Sequence, residues 1–186
     1  MPPVLQSGPR PGSLHVRFDT DAGSIRVRLD ARAAPGTVHN FLRYIHAGHY
    51  SGGRFHRTVT LQNQPGDPIR IEVIQAGAAP GRESAAFPPI TLERTSVTGL
   101  RHLDGTISMA RSTPDSATSD FFICLGPQPE LDFGGRRNPD GQGFAAFGQV
   151  VEGMDIIRRI QQSPAEGQRL TPPILIIRAK VEEEKP

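Results

Sequence analysis

The sequence predicts a mainly β protein, folded as an eight-stranded antiparallel closed β-barrel capped by two α-helices. Glycine and proline supply 20 + 18 = 38 of the 186 residues, which favours many turns and therefore many short strands. Eight short segments have the alternating or continuous apolar pattern of strands, and only two have the spacing of helices. Many short strands with few helices are typical of a closed barrel with capped ends.

The first two strands are predicted as an antiparallel hairpin. Apolar residues occupy every second position from Leu14 to Phe18 and again from Ile25 to Leu29. The turn between them contains Asp21, Ala22 and Gly23. A period of two over both segments predicts two paired strands with one buried face.

Helical spacing appears in two segments. In the first, Pro35 suits the first turn and Gly48 the end. Its apolar residues recur three or four positions apart, at Val38, Phe41, Leu42 and Ile45. A second, shorter helix is predicted after Gly153, and its inward-facing residues are Met154, Ile157 and Ile160.

Six further strands complete the predicted barrel. They are Arg54–Val59, Arg70–Gln75, Gly105–Ala110, Phe121–Leu125, Phe144–Val151 and the run PPILIIRAKVE near the C-terminal end. The intervening loops are rich in glycine or proline and cover Leu61–Ile69, Ala76–Pro89 and Gly126–Gly143. We expect one domain over residues 13–182, a flexible tail over residues 1–12 and a charged end over residues 183–186.

Composition bears on partners and compartment. Lysine and arginine exceed aspartate and glutamate by 21 − 19 = 2, and apart from the pairs Arg136-Arg137 and Arg158-Arg159 they are scattered. Nucleic acid is therefore not expected as a partner, since phosphate binding needs a concentrated basic patch. No run approaches the ~20 apolar residues of a membrane span, and the first residues lack a signal peptide's apolar core. We expect a cytoplasmic monomer that binds no membrane, or a periplasmic one if a signal peptide has been removed.

Neither a metal site nor a cofactor is expected. His39, His46 and His49 are close in sequence, but no carboxylate or cysteine completes a ligand set, so surface histidines are predicted. The only cysteine, Cys124, lies in the apolar run FFICL and is predicted to be a buried structural thiol.

The chain also lacks a nucleophile elbow and a phosphate-binding loop. One reaction that needs neither is rotation about the peptide bond before proline, whose barrier of about 18–20 kcal/mol arises from amide resonance. A fixed cation that hydrogen-bonds the prolyl nitrogen as the bond twists would lower this barrier, because that contact forms mainly in the transition state. An apolar pocket for the proline ring is also required.

Specific motifs supply these parts. RFHRTV, VIQAG, GTISMAR, DSATSDFFI and FAAFGQVVEGMDII occur in this order. Together they resemble a cyclophilin-type peptidyl-prolyl cis-trans isomerase of the bacterial kind over residues 14–181. The resemblance implies the barrel predicted above. It also implies an isomerase of Xaa-Pro bonds in protein folding, acting on proline-containing peptides in unfolded or folded client proteins.

The resemblance assigns roles to individual positions. Arg57 matches the catalytic arginine, and Gln75 matches the glutamine that holds substrate backbone and braces that arginine. The positions that match the substrate pocket are Phe55 as a core aromatic behind it, Val73, Ala110, Arg111, Phe122, Leu131 and Phe144. Because successive side chains of a strand face opposite ways, Phe121 is predicted in the core and Phe122 in the pocket.

Acidic substitutions depart from the family pattern. Glu72 aligns with a pocket phenylalanine, Asp120 replaces a glutamine and Glu130 replaces an aromatic residue. Around the groove, these carboxylates could pair with Arg57 and weaken it, or select basic residues beside proline. Alternatively, the alignment slips across the longer loop before Glu72, whose side chain then faces solvent. A weakly active or inactive cyclophilin-fold module that binds proline-containing peptides or acts as a chaperone is therefore the alternative function.

Overall fold

The computed structural model describes residues 13–82 and 85–183 of the chain. The predicted tail over residues 1–12 and the last three residues of the charged end lie outside the described residues. The strands are β1 Leu14–Thr20, β2 Gly23–Leu29, β3 Arg54–Val59, β4 Val73–Gly77, β5 Thr106–Met109, β6 Phe121–Cys124, β7 Ala146–Glu152, β8 Ala165–Glu166 and β9 Arg169–Glu183. The helices are α1 Pro35–His46, α2 Thr95–Thr98 and α3 Met154–Gln161.

Eight strands form a closed barrel, as the sequence predicts. Neighbouring strands follow the order β1-β2-β7-β5-β6-β4-β3-β9, every pair is antiparallel, and β9 pairs back onto β1. Closure leaves the eight strands without a free sheet edge. The ninth strand, β8, has two residues and extends β9 only locally.

The barrel interior is filled by aromatic and branched side chains. Phe18, Phe41, Phe121 and Phe147 are fully buried. Their rings meet at centroid distances such as 5.5 Å for Phe18–Phe121 and 5.0 Å for Phe41–Phe147. Helix α1 begins at the predicted Pro35 and contributes Phe41, whereas α3 contributes a second apolar face. The single turn α2 was not predicted.

Strand β4 begins later than predicted. Residues 70–72 precede it, and the side-chain amide of Gln64 bonds both the N–H and the carbonyl of Ile71. The Gln64 amide takes up the backbone hydrogen-bonding groups of Ile71 that a neighbouring strand would otherwise bind. Pairing of β4 with β3 therefore starts at Val73, and it continues to Gly77. The predicted segment Arg70–Gln75 was therefore wrong at both ends.

The structure tests the predicted exposure of three histidines and the predicted burial of the cysteine. His39 and His46 are exposed, but His49 is 4% exposed, and its ring packs against Tyr44 and Phe87. The prediction of a surface position was thus wrong for His49, because aromatic side chains cover it. Cys124 is fully buried, and burial raises the pKa of its thiol well above the ordinary value, which confirms a structural role.

Candidate active site

A cavity of about 190 Å³ lies on the outer face of the barrel, beside β3, β4 and β6. Its lining consists of Arg57, Ile71, Val73, Gln75, Ala110, Arg111, Phe122, Leu131, Arg137 and Phe144. Eight of the eleven predicted site residues are in this lining. The three that are not are Phe55, Asp120 and Glu130.

A β-bulge turns Arg57 towards this cavity. In the pairing of β3 with β4, Phe55 faces Ala76 and Arg57 faces Gln75, so His56 is the extra residue. Strict alternation would place residues 55 and 57 on the same face of the strand. The bulge reverses that relation, as bulges commonly re-aim side chains near functional sites. Phe55 is therefore fully buried inside the barrel, while Arg57 lies outside it.

The apolar half of the cavity is preformed. Val73, Phe122 and Leu131 are each at most 5% exposed and belong to a small apolar cluster separate from the barrel core. The ring of Phe144 meets that of Phe122 edge-on at 5.5 Å. As alternation predicts, Phe121 packs into the core and Phe122 into this cluster.

A buried histidine supports the ring of Phe122 from behind. The His102 ring stacks on it at 5.9 Å with an interplanar angle of 14°. His102 is itself held at both nitrogens, by Asp132 at 2.7 Å and by the Ser108 hydroxyl at 2.9 Å. These contacts restrict the rotation of the Phe122 ring.

The guanidinium of Arg57 is held on two sides. Its Nη1 donates to Gln75 Oε1 at 3.0 Å, and Gln168 Oε1 accepts from Nε at 2.9 Å and from Nη2 at 2.7 Å. A guanidinium has five N–H donors, so 5 − 3 = 2 remain, one on each terminal nitrogen. Burial and the charge of Arg137 lower the pKa of Arg57, but an arginine stays protonated in proteins.

Asp120 acts on the cavity through Gln75. The Gln75 Nε2 donates to Asp120 Oδ2 at 3.0 Å, and the ring of His56 lies 3.1 Å from the same oxygen. The carboxylate thereby sets the rotamer of Gln75, so that the amide oxygen faces Arg57. Asp120 itself borders a neighbouring cavity of about 290 Å³.

The two other acidic substitutions point away from the cavity. Glu72 accepts a hydrogen bond from Gln161 at 3.0 Å, and Ile71 lines the cavity instead. Glu130 pairs with Arg136 at 3.1 Å. The hypothesis that these carboxylates surround the groove is therefore wrong for Glu72 and Glu130, because each has a partner elsewhere. The alternative interpretation of Glu72 holds in part: Ile71 lines the cavity in its place, as a slipped alignment predicts, but the Glu72 side chain is half-buried and does not face solvent fully.

A comparison with protein-family models identifies the family of this chain. The model of the family described as "Cyclophilin type peptidyl-prolyl cis-trans isomerase/CLD" matches residues 15–181. The chain belongs to this family. Its barrel is thus a cyclophilin barrel.

Named bacterial cyclophilins are similar over most of this chain. Peptidyl-prolyl cis-trans isomerase A of Dickeya dadantii is 41% identical over 157 residues, which cover 83% of this chain and 74% of that protein. Peptidyl-prolyl cis-trans isomerase cyp18 of Streptomyces antibioticus is 34% identical over 172 residues, covering 89% and 97%. Peptidyl-prolyl cis-trans isomerase B of Escherichia coli is 36% identical over 149 residues, covering 78% and 83%.

Solved structures agree on the fold. A cyclophilin-type peptidyl-prolyl cis-trans isomerase of Cryptosporidium parvum superposes with a TM-score of 0.74 at 20% identity, over 94% of this chain and 99% of that one. A second structure of that protein, in the presence of the dipeptide Ala-Pro, gives a TM-score of 0.73 at 20% identity, covering 91% and 99%.

Four residues around the cavity were not predicted from the sequence. Ile71 and Arg137 line it, Gln168 holds Arg57, and His102 supports Phe122. Ile71 was in a predicted strand, and the acidic neighbour Glu72 was aligned to the cavity in its place. No local pattern distinguishes Gln168 or Arg137, because Gln168 reaches Arg57, and Arg137 reaches the cavity, from a turn or loop distant in sequence.

Within the part of the chain that the structure describes, no helix combines the length and apolar character that a membrane crossing requires.

Proposed function

We propose that this chain accelerates rotation about Xaa-Pro peptide bonds in protein folding, with Arg57 as the electrostatic catalyst. The observation that carries the proposal is the position of its guanidinium. It is fixed by Gln75 and Gln168 beside the apolar half of the cavity, with one N–H left on each terminal nitrogen. A cation held beside a site for a proline ring is the arrangement that this reaction needs.

The chemistry follows from the loss of amide resonance. In the planar ground state the prolyl nitrogen shares its lone pair with the carbonyl, and it is a poor acceptor. As the bond twists, the lone pair localises on nitrogen and accepts a hydrogen bond from Arg57. A hydrogen bond to a charged group contributes about 1.5–3 kcal/mol. At about 1.36 kcal/mol per tenfold in rate, this contact alone supplies roughly 10- to 150-fold.

The remaining cavity residues bind the substrate. Val73, Phe122, Leu131 and Phe144 enclose the proline ring with apolar surface. Gln75 holds the backbone of the peptide beside proline as well as the guanidinium. Ala110 and Arg111 border the same cavity and line the extended peptide.

The proposed substrates are proline-containing segments of unfolded or folded proteins. Two observations support them: the cavity is sized for one small side chain, and a related cyclophilin structure was determined in the presence of Ala-Pro. The alternative of an inactive binding module depended on carboxylates that disable Arg57. Among the described residues, Arg57 donates only to the amides of Gln75 and Gln168.

Exchange NMR on a short Ala-Ala-Pro-Ala peptide tests the proposal. Uncatalysed isomerisation takes tens to hundreds of seconds at 25 °C. A catalytic amount of the protein should bring the exchange of the two isomers into the range of about a second or faster. Peptide binding with an unchanged exchange rate would overturn the proposed catalysis and leave a binding module.

A further inference from the structure

The wall of the cavity nearest Arg57 contains a second cation that comes from a long loop. Arg137 lies in the loop between Leu131 and Phe144, and its side chain is 14% exposed. Its Nη1 reaches across to the loop before β4, where it donates to Gln64 at 2.9 Å, to the carbonyl of Ile69 at 2.6 Å and to Asp67. Arg137 thereby joins two loops at the edge of the cavity.

Only one of the three nitrogens of Arg137 is occupied. All hydrogen bonds of its side chain to the described residues start from Nη1. Its Nε and Nη2 therefore keep their N–H donors, on a side chain that is fixed at its other end. A guanidinium with one anchored nitrogen and two available ones is a preformed anion binder, because little side-chain entropy remains to be lost.

The cavity wall has a single sign of charge. Its lining includes three guanidinium groups, Arg57, Arg111 and Arg137, and no carboxylate among the described residues. Asp140 pairs with Arg111, and Asp67 pairs with Arg137, but neither carboxylate is part of the lining. Walls of one sign in a half-buried cleft attract ligands of the opposite sign.

We propose that Arg137 is a specificity-determining residue that makes this isomerase prefer a carboxylate on a residue next to proline. The inference rests on the proposed function and names its substrate class. From the sequence, the acidic substitutions predicted that basic residues beside proline would be selected. The proposed preference for a carboxylate is the opposite. A single carboxylate fits better than a more highly charged group, since Asp67 already offsets part of the Arg137 charge.

The test compares peptides that differ by one isosteric pair. Exchange NMR measures kcat/KM for Ala-Glu-Pro-Ala against Ala-Gln-Pro-Ala, and for Ala-Ala-Pro-Glu against Ala-Ala-Pro-Gln. The wild type should favour glutamate over glutamine by about five- to tenfold on one side of proline, which also identifies that side. The preference should shrink between 20 and 300 mM salt, because screening weakens the contact. Equal rates within both pairs at low salt would overturn the proposal.

Three variants and one control assign the preference to this side chain. Arg137→Gln should reduce the ratio to about one, and Arg137→Lys should keep part of it. Arg136→Gln removes the same charge one residue away, outside the cavity, and should leave the ratio unchanged. Asp67→Asn should raise the ratio, because the arginine loses its partner charge. A ratio that survives in Arg137→Gln, with a dispersed amide spectrum showing that the variant is folded, would contradict the assignment.

Failure of the isomerase activity is distinguishable from failure of this inference. If the wild type accelerates none of the four peptides, the proposed function fails. The same peptides titrated into labelled protein still give dissociation constants. A glutamate peptide that binds five- to tenfold more tightly than its glutamine partner, and only with Arg137 present, would sustain the anion site without catalysis. Equal affinities would remove it.

Discussion

The side-chain oxygen of Gln168 accepts two hydrogen bonds from Arg57, one from Nε at 2.9 Å and one from Nη2 at 2.7 Å. Gln168 lies in the turn between β8 and β9, 111 residues from Arg57 in sequence. Its own Nε2 donates to the carbonyl of Asn63, which fixes the orientation of the amide. The short strand β8 therefore positions the turn whose Gln168 side chain holds the Arg57 guanidinium.

Removal of this contact should slow catalysis while substrate binding persists. In Gln168→Ala the guanidinium keeps only Gln75, so it spends less time in the productive orientation, and kcat should fall about five- to twentyfold. Gln168→Glu should be slower still, because a carboxylate competes with the prolyl nitrogen for the cation. Steady-state exchange NMR at several peptide concentrations separates kcat from KM. A change in KM alone would contradict the positioning role.

The carboxylate of Asp120 should matter as a hydrogen-bond acceptor. Asp120→Asn retains an oxygen for Gln75 Nε2, so kcat/KM should fall no more than about threefold. Asp120→Ala leaves the Gln75 amide free to rotate and should cost about tenfold, the order expected for one hydrogen bond of 1–1.5 kcal/mol. Equal losses in the two variants would show that the charge, and not the hydrogen bond, is required.

The two adjacent phenylalanines should have separable effects. Phe122→Ala removes apolar surface from the cavity and should raise KM tenfold or more, with a smaller loss of stability than Phe121→Ala because one side of its ring borders the cavity. Phe121→Ala opens a cavity in the barrel core and should cost about 3–5 kcal/mol of unfolding free energy. Denaturant unfolding and peptide titration on both variants measure these effects. A similar stability loss in both would contradict the placement of Phe122 outside the core.

The stability of the barrel should depend on pH through Asp19. Hydrogen bonds from Arg178 at 2.6 Å and from Ser24, followed by the one from Arg17, lower the pKa of Asp19 to about 2. Because the pKa of Asp19 is lower in the folded state, its ionised carboxylate stabilises the folded protein at pH values above the unfolded pKa of about 3.9. This contribution is lost as the pH falls through about 2.

Because both arginines are largely exposed, screening limits the effect to about 1 kcal/mol. Asp19→Asn should lower the unfolding free energy by that amount at pH 7, and the difference from wild type should disappear only below about pH 2. Asp155→Asn is the matched control, since its carboxylate is 78% exposed and 3.8 Å from Arg159. A pH-independent difference for Asp19→Asn would show that the loss is steric.

The barrel could be predicted from sequence because its strands are local patterns. Alternation in residues 14–29 reports the buried face of β1 and β2 directly, and helix α1 carries its own start signal at Pro35. The start of β4 could not be predicted in this way. It depends on Gln64, which bonds the backbone of Ile71 across a loop.

The site was predictable where it lies on strands and not where it is built from loops. Motifs on β3 to β6 identify Arg57, Gln75 and Phe122. Arg137 reaches the cavity, and Gln168 reaches Arg57, from a loop and a turn whose path depends on contacts with distant segments. The bulge at His56 is also invisible in the sequence pattern, although it decides which way Arg57 faces.

The most direct measurement is the rate of Xaa-Pro exchange with wild type and Arg57→Ala in parallel, with peptide affinity measured on the same samples. We expect wild type to accelerate exchange, and Arg57→Ala to lose at least about tenfold in kcat while its peptide affinity stays within a few fold of wild type. Arg54→Ala on the same strand is the control and should keep the wild-type rate. Full activity in Arg57→Ala would contradict the central role of this arginine.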